Sequence, residues 1–103
     1  MRKKMEEAFR KATENAGVLE EKEKTALLDM YSYVLDAAEI GALEEVQEMR
    51  SQAMGAIEFL YRMGKILDAE DLHMLLNEIE EYGYRIAKGE ETSPWDAQGG
   101  TKQ

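Results

Sequence analysis

Apolar residues recur every three or four positions along most of the chain, which is the spacing of one face of an α-helix. Four such segments end at glycines that follow one another at nearly constant intervals, namely Gly17, Gly41, Gly64 and Gly89. Glycine just beyond a helix end adopts the left-handed conformation at little cost, so each of these residues is a suitable helix stop. The pattern predicts a compact all-α domain of four helices near residues 2–16, 20–40, 44–63 and 69–88.

Two of the predicted boundaries differ in clarity. Asp68 is a good N-cap for the fourth helix, and Leu67 and Leu72 have the spacing of a hydrophobic staple around it. Gly41 is the weaker boundary, because a glycine inside a helix costs only about 1 kcal/mol. If the second and third helices continued through Gly41, the resulting rod would be roughly 65 Å long and would need a partner chain.

The apolar faces predict how the helices pack. The first, third and fourth helices each have one stripe, and the residues expected in the core are Met5, Ala8, Phe9, Ala12, Ala16, Val46, Met49, Ala53, Ile57, Leu60, Leu72, Leu75, Leu76, Ile79, Tyr82 and Ile86. The polar residues of the second helix cover only about 80° of its circumference, so it lies among three neighbours or at a subunit interface. We expect self-association, most simply as a homodimer, through Met30, Tyr33, Ala37 and Ile40.

The helical period stops after Gly89, and the chain divides there into a helical domain (residues 1–89) and a predicted disordered tail (90–103). The tail contains turn-forming residues and the single tryptophan, Trp95. A large aromatic side chain supplies much of the energy of an interface. Two alternatives are open for Trp95: it folds back onto the helical domain, or it docks onto another chain.

Composition narrows the possible functions. A chain of 103 residues forms one domain, and the absence of cysteine excludes disulfides, zinc–thiolate sites and thiol nucleophiles. No run of about 18 apolar residues is present, and the charged opening residues do not form a secretory signal. We therefore expect a soluble cytoplasmic protein that does not contact a membrane.

The formal net charge is −9, so the chain as a whole repels phosphate backbones, and direct nucleic-acid binding is disfavoured. The N-terminal turn is the exception, with a group of basic side chains at Arg2, Lys3, Lys4, Arg10 and Lys11. Contact of this turn with RNA or anionic lipid is a weaker alternative, because Glu6 and Glu7 interrupt the basic group.

Candidate catalytic and metal-binding residues are few. Glu70 and His73 have the Glu-x-x-His spacing of ferritin-like di-iron sites, but His73 points away from the expected core, and a second such pair requires a dimer. Three serines lack a histidine at a recognisable spacing, and no glycine-rich phosphate loop is present. We therefore predict a protein that is not an enzyme and that has no metal or cofactor.

Several residues are candidates for binding a partner protein. Phe59, Met74 and Tyr84 are apolar or aromatic but fall on the polar sides of their helices, so they form a binding patch if the fold brings them together. With Trp95 and the acidic residues Glu44, Glu45 and Glu48, they complete the candidate set.

The function predicted from these residues is protein–protein binding by a small acidic adaptor or inhibitor. The alternative is an inhibitor of the kind that phages and mobile elements carry, an anti-restriction or anti-CRISPR protein that imitates nucleic acid. In that case, carboxylates take the place of phosphates in the basic groove of a nucleic-acid-binding protein.

Overall fold

The structure, a computed structural model, describes residues 2–89, which form four α-helices. They are α1 (Arg2–Glu14), α2 (Glu21–Glu39), α3 (Leu43–Arg62) and α4 (Glu70–Ala87). The predicted all-α fold is confirmed, and every helix end lies within two residues of its predicted position. Within these residues no helix is long and apolar enough to cross a membrane. The predicted tail, with Trp95, lies outside the described residues.

The second helix lies at the centre of the packing, one of the two positions predicted from its apolar circumference. It contacts α1, α3 and α4, whereas α1 and α3, both fully described, do not contact each other. The predicted core residues are buried except for four at its edges, which are half-buried: Ala8, Met49, Leu60 and Ile86. The amphipathic stripes therefore indicate correctly which face of each helix turns inward.

Tyr31 connects three of the helices. It is completely buried on α2, and its hydroxyl donates a 2.7 Å hydrogen bond to the backbone carbonyl of Leu72 at the start of α4. Its ring packs edge-on against that of Phe9 on α1, with 5.0 Å between the ring centroids. Burial disfavours the phenolate and raises the pKa of Tyr31 above its ordinary value. The side chain stays neutral and fixes α1 and α4 to α2.

The chain turns sharply between α2 and α3. Gly41 has a φ of +67°, in the left-handed region that glycine adopts without strain. Its amide donates a hydrogen bond to the carbonyl of Ala38, and the next amide, that of Ala42, bonds the carbonyl of Ala37. α2 and α3 are therefore two helices folded back on each other, and a continuous rod through Gly41 is excluded.

Gly17 serves a different purpose from the one predicted. Its φ is not positive, but a Cβ placed on it would lie 2.1 Å from the carbonyl oxygen of Lys65. The loop after α1 pairs here with the loop after α3: the Val18 amide donates to that oxygen at 2.9 Å, and the Leu67 amide donates to the Ala16 carbonyl at 2.6 Å. Gly17 is needed for this close approach rather than for a left-handed helix stop.

The same loop pairing changes the predicted start of α4. The N-cap is Ala69 and not Asp68 as predicted, and Asp68, one residue before it, accepts a 3.0 Å hydrogen bond from the Glu70 amide at the start of the helix. The predicted staple is wrong, because the Leu67 side chain is 72% exposed while Leu72 is buried. The hydrogen bond from the Leu67 amide to the neighbouring loop sets the direction of the chain in place of the staple.

Replacing Tyr31 by phenylalanine removes the hydroxyl but keeps the ring. We expect Tyr31→Phe to lower the free energy of unfolding by about 1 kcal/mol, the typical net contribution of a hydrogen bond of this kind. Tyr33→Phe is the matched control: Tyr33 is exposed two residues away and should change stability by less than about 0.5 kcal/mol. Urea titration of both variants measures the difference, and equal effects would contradict the role assigned to the Tyr31 hydroxyl.

Two glycine substitutions should have opposite effects on stability. Gly17→Ala places a methyl group against backbone and should destabilise by about 1–3 kcal/mol, because the loop pairing must open. Gly55 lies inside α3, and apart from the neighbouring backbone of its own helix nothing stands within 4 Å of the position that a Cβ would take, so Gly55→Ala should stabilise by about 0.5–1 kcal/mol. Thermal or urea unfolding gives both values. A neutral Gly17→Ala would show that the loop pairing contributes nothing to stability.

Candidate interaction surface

A shallow apolar groove runs between α2 and α3. Two open pockets lie along it, with volumes of about 180 Å³ and 250 Å³. The residues that line the smaller pocket are Glu23, Ala26, Leu27, Met30, Ala56, Phe59 and Leu60. Those that line the larger one are Tyr33, Asp36, Ala37, Ile40, Glu45 and Met49. We refer to these two sets together as the α2–α3 groove.

The groove follows a regular spacing on both helices. On α2 and its C-cap, the lining residues Ala26, Met30, Tyr33, Ala37 and Ile40 are separated by alternating steps of four and three. On α3, Met49 and Ala56 lie one heptad apart. A step pattern of four and three keeps side chains on one line and is the spacing with which helices pack along each other. This spacing is visible in the sequence, and it would have identified Ala26 and Ala56, which the sequence analysis missed.

The four residues predicted to mediate self-association all line this groove, but they differ in exposure. Tyr33 is 57% exposed and Ile40 is 73% exposed. Met30 is half-buried, whereas Ala37 is buried within the chain and forms part of the groove floor. Their role in self-association stays a prediction. Tyr33 and Ile40 are the side chains that offer most apolar surface to a partner.

Phe59, Met74 and Tyr84 are exposed as predicted but lie on different surfaces. Phe59 is 62% exposed and joins Met30 in the α2–α3 groove. Met74 lies between α1 and α4, in a pocket that also includes Lys11. The hydroxyl of Tyr84 accepts a 3.0 Å hydrogen bond from the Gln47 side chain across α3 and α4. The patch that these three residues were expected to form together is therefore not a single surface.

The acidic triplet, Glu44, Glu45 and Glu48, is exposed on the first turns of α3. Glu45 lines the groove, and within residues 2–89 none of the three carboxylates forms an ion pair. Asp36, across the groove on α2, is paired with Arg2 of α1. The end of the groove nearest Gly41 thus carries uncompensated negative charge beside the exposed Ile40 side chain.

The opposite end of the groove is organised around Glu23. The Glu20 amide donates a 2.8 Å hydrogen bond to the Glu23 carboxylate, and the Lys65 ammonium lies 3.2 Å from the same group. The hydrogen bond from the Glu20 amide is the main reason that the pKa of Glu23 lies below its ordinary value; desolvation opposes this effect, and Lys65 lowers the pKa further. The hydrogen bond to Glu23 is the main reason that the pKa of Lys65 is raised. This cluster also ties the loop after α3 to the start of α2.

The other surface features of the described chain offer less for recognition. A larger open cleft, about 630 Å³ between α1 and α2, is lined by both basic and acidic side chains, including Lys3, Glu6, Glu7 and Arg10. Glu70 is exposed and His73 is half-buried on the first turn of α4. Across residues 2–89, histidines and carboxylates do not form a group of three or more that could hold a metal ion.

The Glu23 cluster makes stability depend on pH in one direction. A carboxylate whose pKa is lowered on folding contributes stability above its ordinary pKa, here 4.5, and the contribution is lost as the pH falls through the folded value. We expect the difference in unfolding free energy between wild type and Glu23→Gln to shrink as the pH falls from about 6 to 3. Glu44→Gln, in the first turn of α3, is the control. A constant difference across this range would contradict the assignment.

Comparisons with known proteins do not assign a family to the chain. Neither protein-family models, nor curated protein sequences, nor solved structures give a match to it. The candidate surface therefore stands on its own geometry: an apolar groove between two antiparallel helices, with an acidic end.

Proposed function

We propose that this chain acts without catalysis, as an adaptor or inhibitor that binds another protein through the α2–α3 groove. The observation that carries the proposal is the line of exposed apolar side chains along that groove. Tyr33, Ile40 and Phe59 each have more than half of their surface exposed, although all three lie beside a well-packed core. Aromatic residues such as Tyr33 and Phe59 are common anchors of protein interfaces, and Ile40 adds exposed apolar surface beside them.

Self-association is one form that this binding can take. A second copy of the chain would place the same groove against itself about a two-fold axis, with Tyr33 near the axis and Met30 and Ile40 on either side. The mass measured by light scattering distinguishes this form from a monomer that binds a different protein. A dimer that Tyr33→Ser and Ile40→Ser together convert to a monomer would identify the second copy as the occupant.

Imitation of nucleic acid is the second candidate function. It is favoured by the acidic triplet, whose three carboxylates are exposed and have no ion-pair partner among residues 2–89. A protein that takes the place of phosphates binds through such carboxylates and depends little on apolar side chains. The two candidates therefore differ in which residues are needed and in how strongly salt weakens the complex.

Two triple variants test the proposal in a pull-down from lysate of the organism that encodes the chain. The groove variant carries Tyr33→Ser, Ile40→Ser and Phe59→Ser. The control variant carries Val18→Ser, Leu67→Ser and Met74→Ser, which remove exposed apolar side chains from elsewhere on the surface. We expect the groove variant to lose about tenfold or more of the captured partner at both low and high salt, because hot-spot side chains dominate binding. The control should retain it.

Two results of the pull-down would contradict binding through the α2–α3 groove. Capture that survives the groove variant, but is lost at about 0.5 M salt and on replacing the acidic triplet by glutamine, would support mimicry and contradict binding through the groove. Equal losses in the groove and control variants would show that apolar surface in general, rather than this groove, is responsible. Circular dichroism and urea titration confirm in advance that each variant is folded.

A further inference from the structure

The charge along the part of the α2–α3 groove nearest Gly41 is one-sided. Between Thr25 and Met49, which covers most of α2, the turn at Gly41 and the start of α3, the chain has six acidic residues and no lysine or arginine. The acidic residues in this stretch are Asp29, Asp36, Glu39, Glu44, Glu45 and Glu48. Every charged side chain that lines either pocket of the groove is also acidic.

Only part of this charge is neutralised within the chain. Asp36 is paired with Arg2, and Glu23 at the far end of the groove is paired with Lys65. Apart from Asp36, the acidic residues between Thr25 and Met49 form no ion pair with any residue from 2 to 89; these five include the acidic triplet. At the end nearest Gly41, the Glu45 carboxylate therefore lines the apolar groove without a counter-charge, and Glu44 and Glu48 are exposed on the same turns of α3.

This arrangement favours one occupant over another. In the two-fold arrangement described above, the acidic triplet of each chain would face the Glu23 end of the other, where Lys65 is already paired with Glu20 and Glu23 and is not available as a counter-charge. A helix with an apolar face and lysine or arginine on its flanks would bury its apolar side chains in the groove and place its charges beside the acidic triplet. Complementary charge of this kind selects partners and speeds association.

We propose that the α2–α3 groove binds a cationic amphipathic helix of another protein. The proposal rests on the function proposed above and names the chemistry of the partner. Apolar residues of the incoming helix, spaced by three and four, contact Tyr33, Ile40 and Phe59, and its basic residues lie against Glu44, Glu45 and Glu48. Met30 and Met49 border the two pockets, and methionine adapts to ligands of differing shape because it is unbranched and flexible.

The length of the groove sets the size of the partner segment. From Ala26 to Ile40 the groove covers 14 helical steps, about 21 Å at 1.5 Å per residue. A helix of about 14–18 residues therefore spans it. Segments of this length fold on binding or belong to a larger helical domain, and either source presents the same face.

Synthetic helical peptides test the proposal directly on the full chain. Three fluorescein-labelled peptides of about 18 residues are compared. The first has leucine spaced by four and three with lysine on both flanks. The second replaces each lysine by glutamate, and the third scrambles the lysine peptide so that its leucines no longer share a face. We expect the lysine peptide to bind at least about tenfold more tightly than the other two at about 0.1 M salt, by fluorescence anisotropy.

Matched variants assign the binding to the groove. Glu44→Gln, Glu45→Gln and Glu48→Gln together should weaken binding of the lysine peptide about tenfold. Glu6→Gln, Glu7→Gln and Glu78→Gln remove the same charge from other surfaces and should weaken it by less than about threefold. Phe59→Ala should weaken binding to a similar degree as the acidic triplet variant, whereas Met74→Ala, on the groove between α1 and α4, should leave it unchanged.

Each contrary result would overturn a definite part of the proposal that the groove binds a cationic helix. Equal binding of the lysine and glutamate peptides would contradict the cationic partner while leaving the apolar groove as a binding site. Equal binding of the lysine peptide and its scrambled version, or equal losses in the two triple-glutamine variants, would show attraction to net charge only. A dimer by light scattering in the same buffer, with no peptide bound, would make a second copy the occupant. A monomer that binds no peptide would overturn this inference, and the pull-down separately decides the proposed function.

Discussion

Tyr31 is completely buried at the point where α1, α2 and α4 meet. A phenol ring in a dry core must have a partner for its hydroxyl, because an unpaired polar group there costs more than its hydrogen bond returns. The partner is the backbone carbonyl of Leu72, which places the start of α4 against the middle of α2. The ring edge meets Phe9 and places α1 on the same side chain. The small residues Ala38 and Gly83 allow α2 and α4 to approach closely further along, where a Cβ on Gly83 would lie 3.3 Å from the Ala38 backbone.

The position of α2 explains why a groove is left open beside it. Three neighbours cover most of the circumference of α2, and α3 folds back along it from the turn at Gly41. The line of residues from Ala26 to Ile40 then faces neither α1 nor α4, and α1 does not reach α3 to cover it. Four helices in this order therefore bury one continuous core and still leave a two-helix surface with the spacing that a further helix requires.

Much of this fold could be predicted from the sequence, because the information is local. Apolar spacing and isolated glycines are sufficient to give four helices and their inward faces. Two wrong predictions, a left-handed helix stop at Gly17 and a hydrophobic staple at Leu67, have a tertiary cause. Both residues lie where two loops that are far apart in sequence pair with each other, and no local pattern contains that pairing. The candidate surface was only half predictable. The wide apolar cover of α2 indicates Tyr33 and Ile40. Spacing within one helix shows that Phe59, Met74 and Tyr84 are exposed, but it does not show that Phe59 lies on a different surface from the other two, because that depends on how the helices pack.

Tyr31 and Tyr33 show how the chain separates stability from recognition. The first is completely buried and the second is more than half exposed, since side chains two residues apart point to different sides of a helix. The acidic residues of the described chain are likewise kept out of the core and placed on the exposed surface. Carboxylates close to one another repel, and that repulsion opposes folding unless water screens it, so they are tolerable on an exposed rim and not in the core. A surface that combines unburied apolar groups with unpaired charge of one sign contributes little to the stability of the chain alone. Its two unfavourable features are relieved together by one kind of partner, a helix that is apolar on one face and basic beside it.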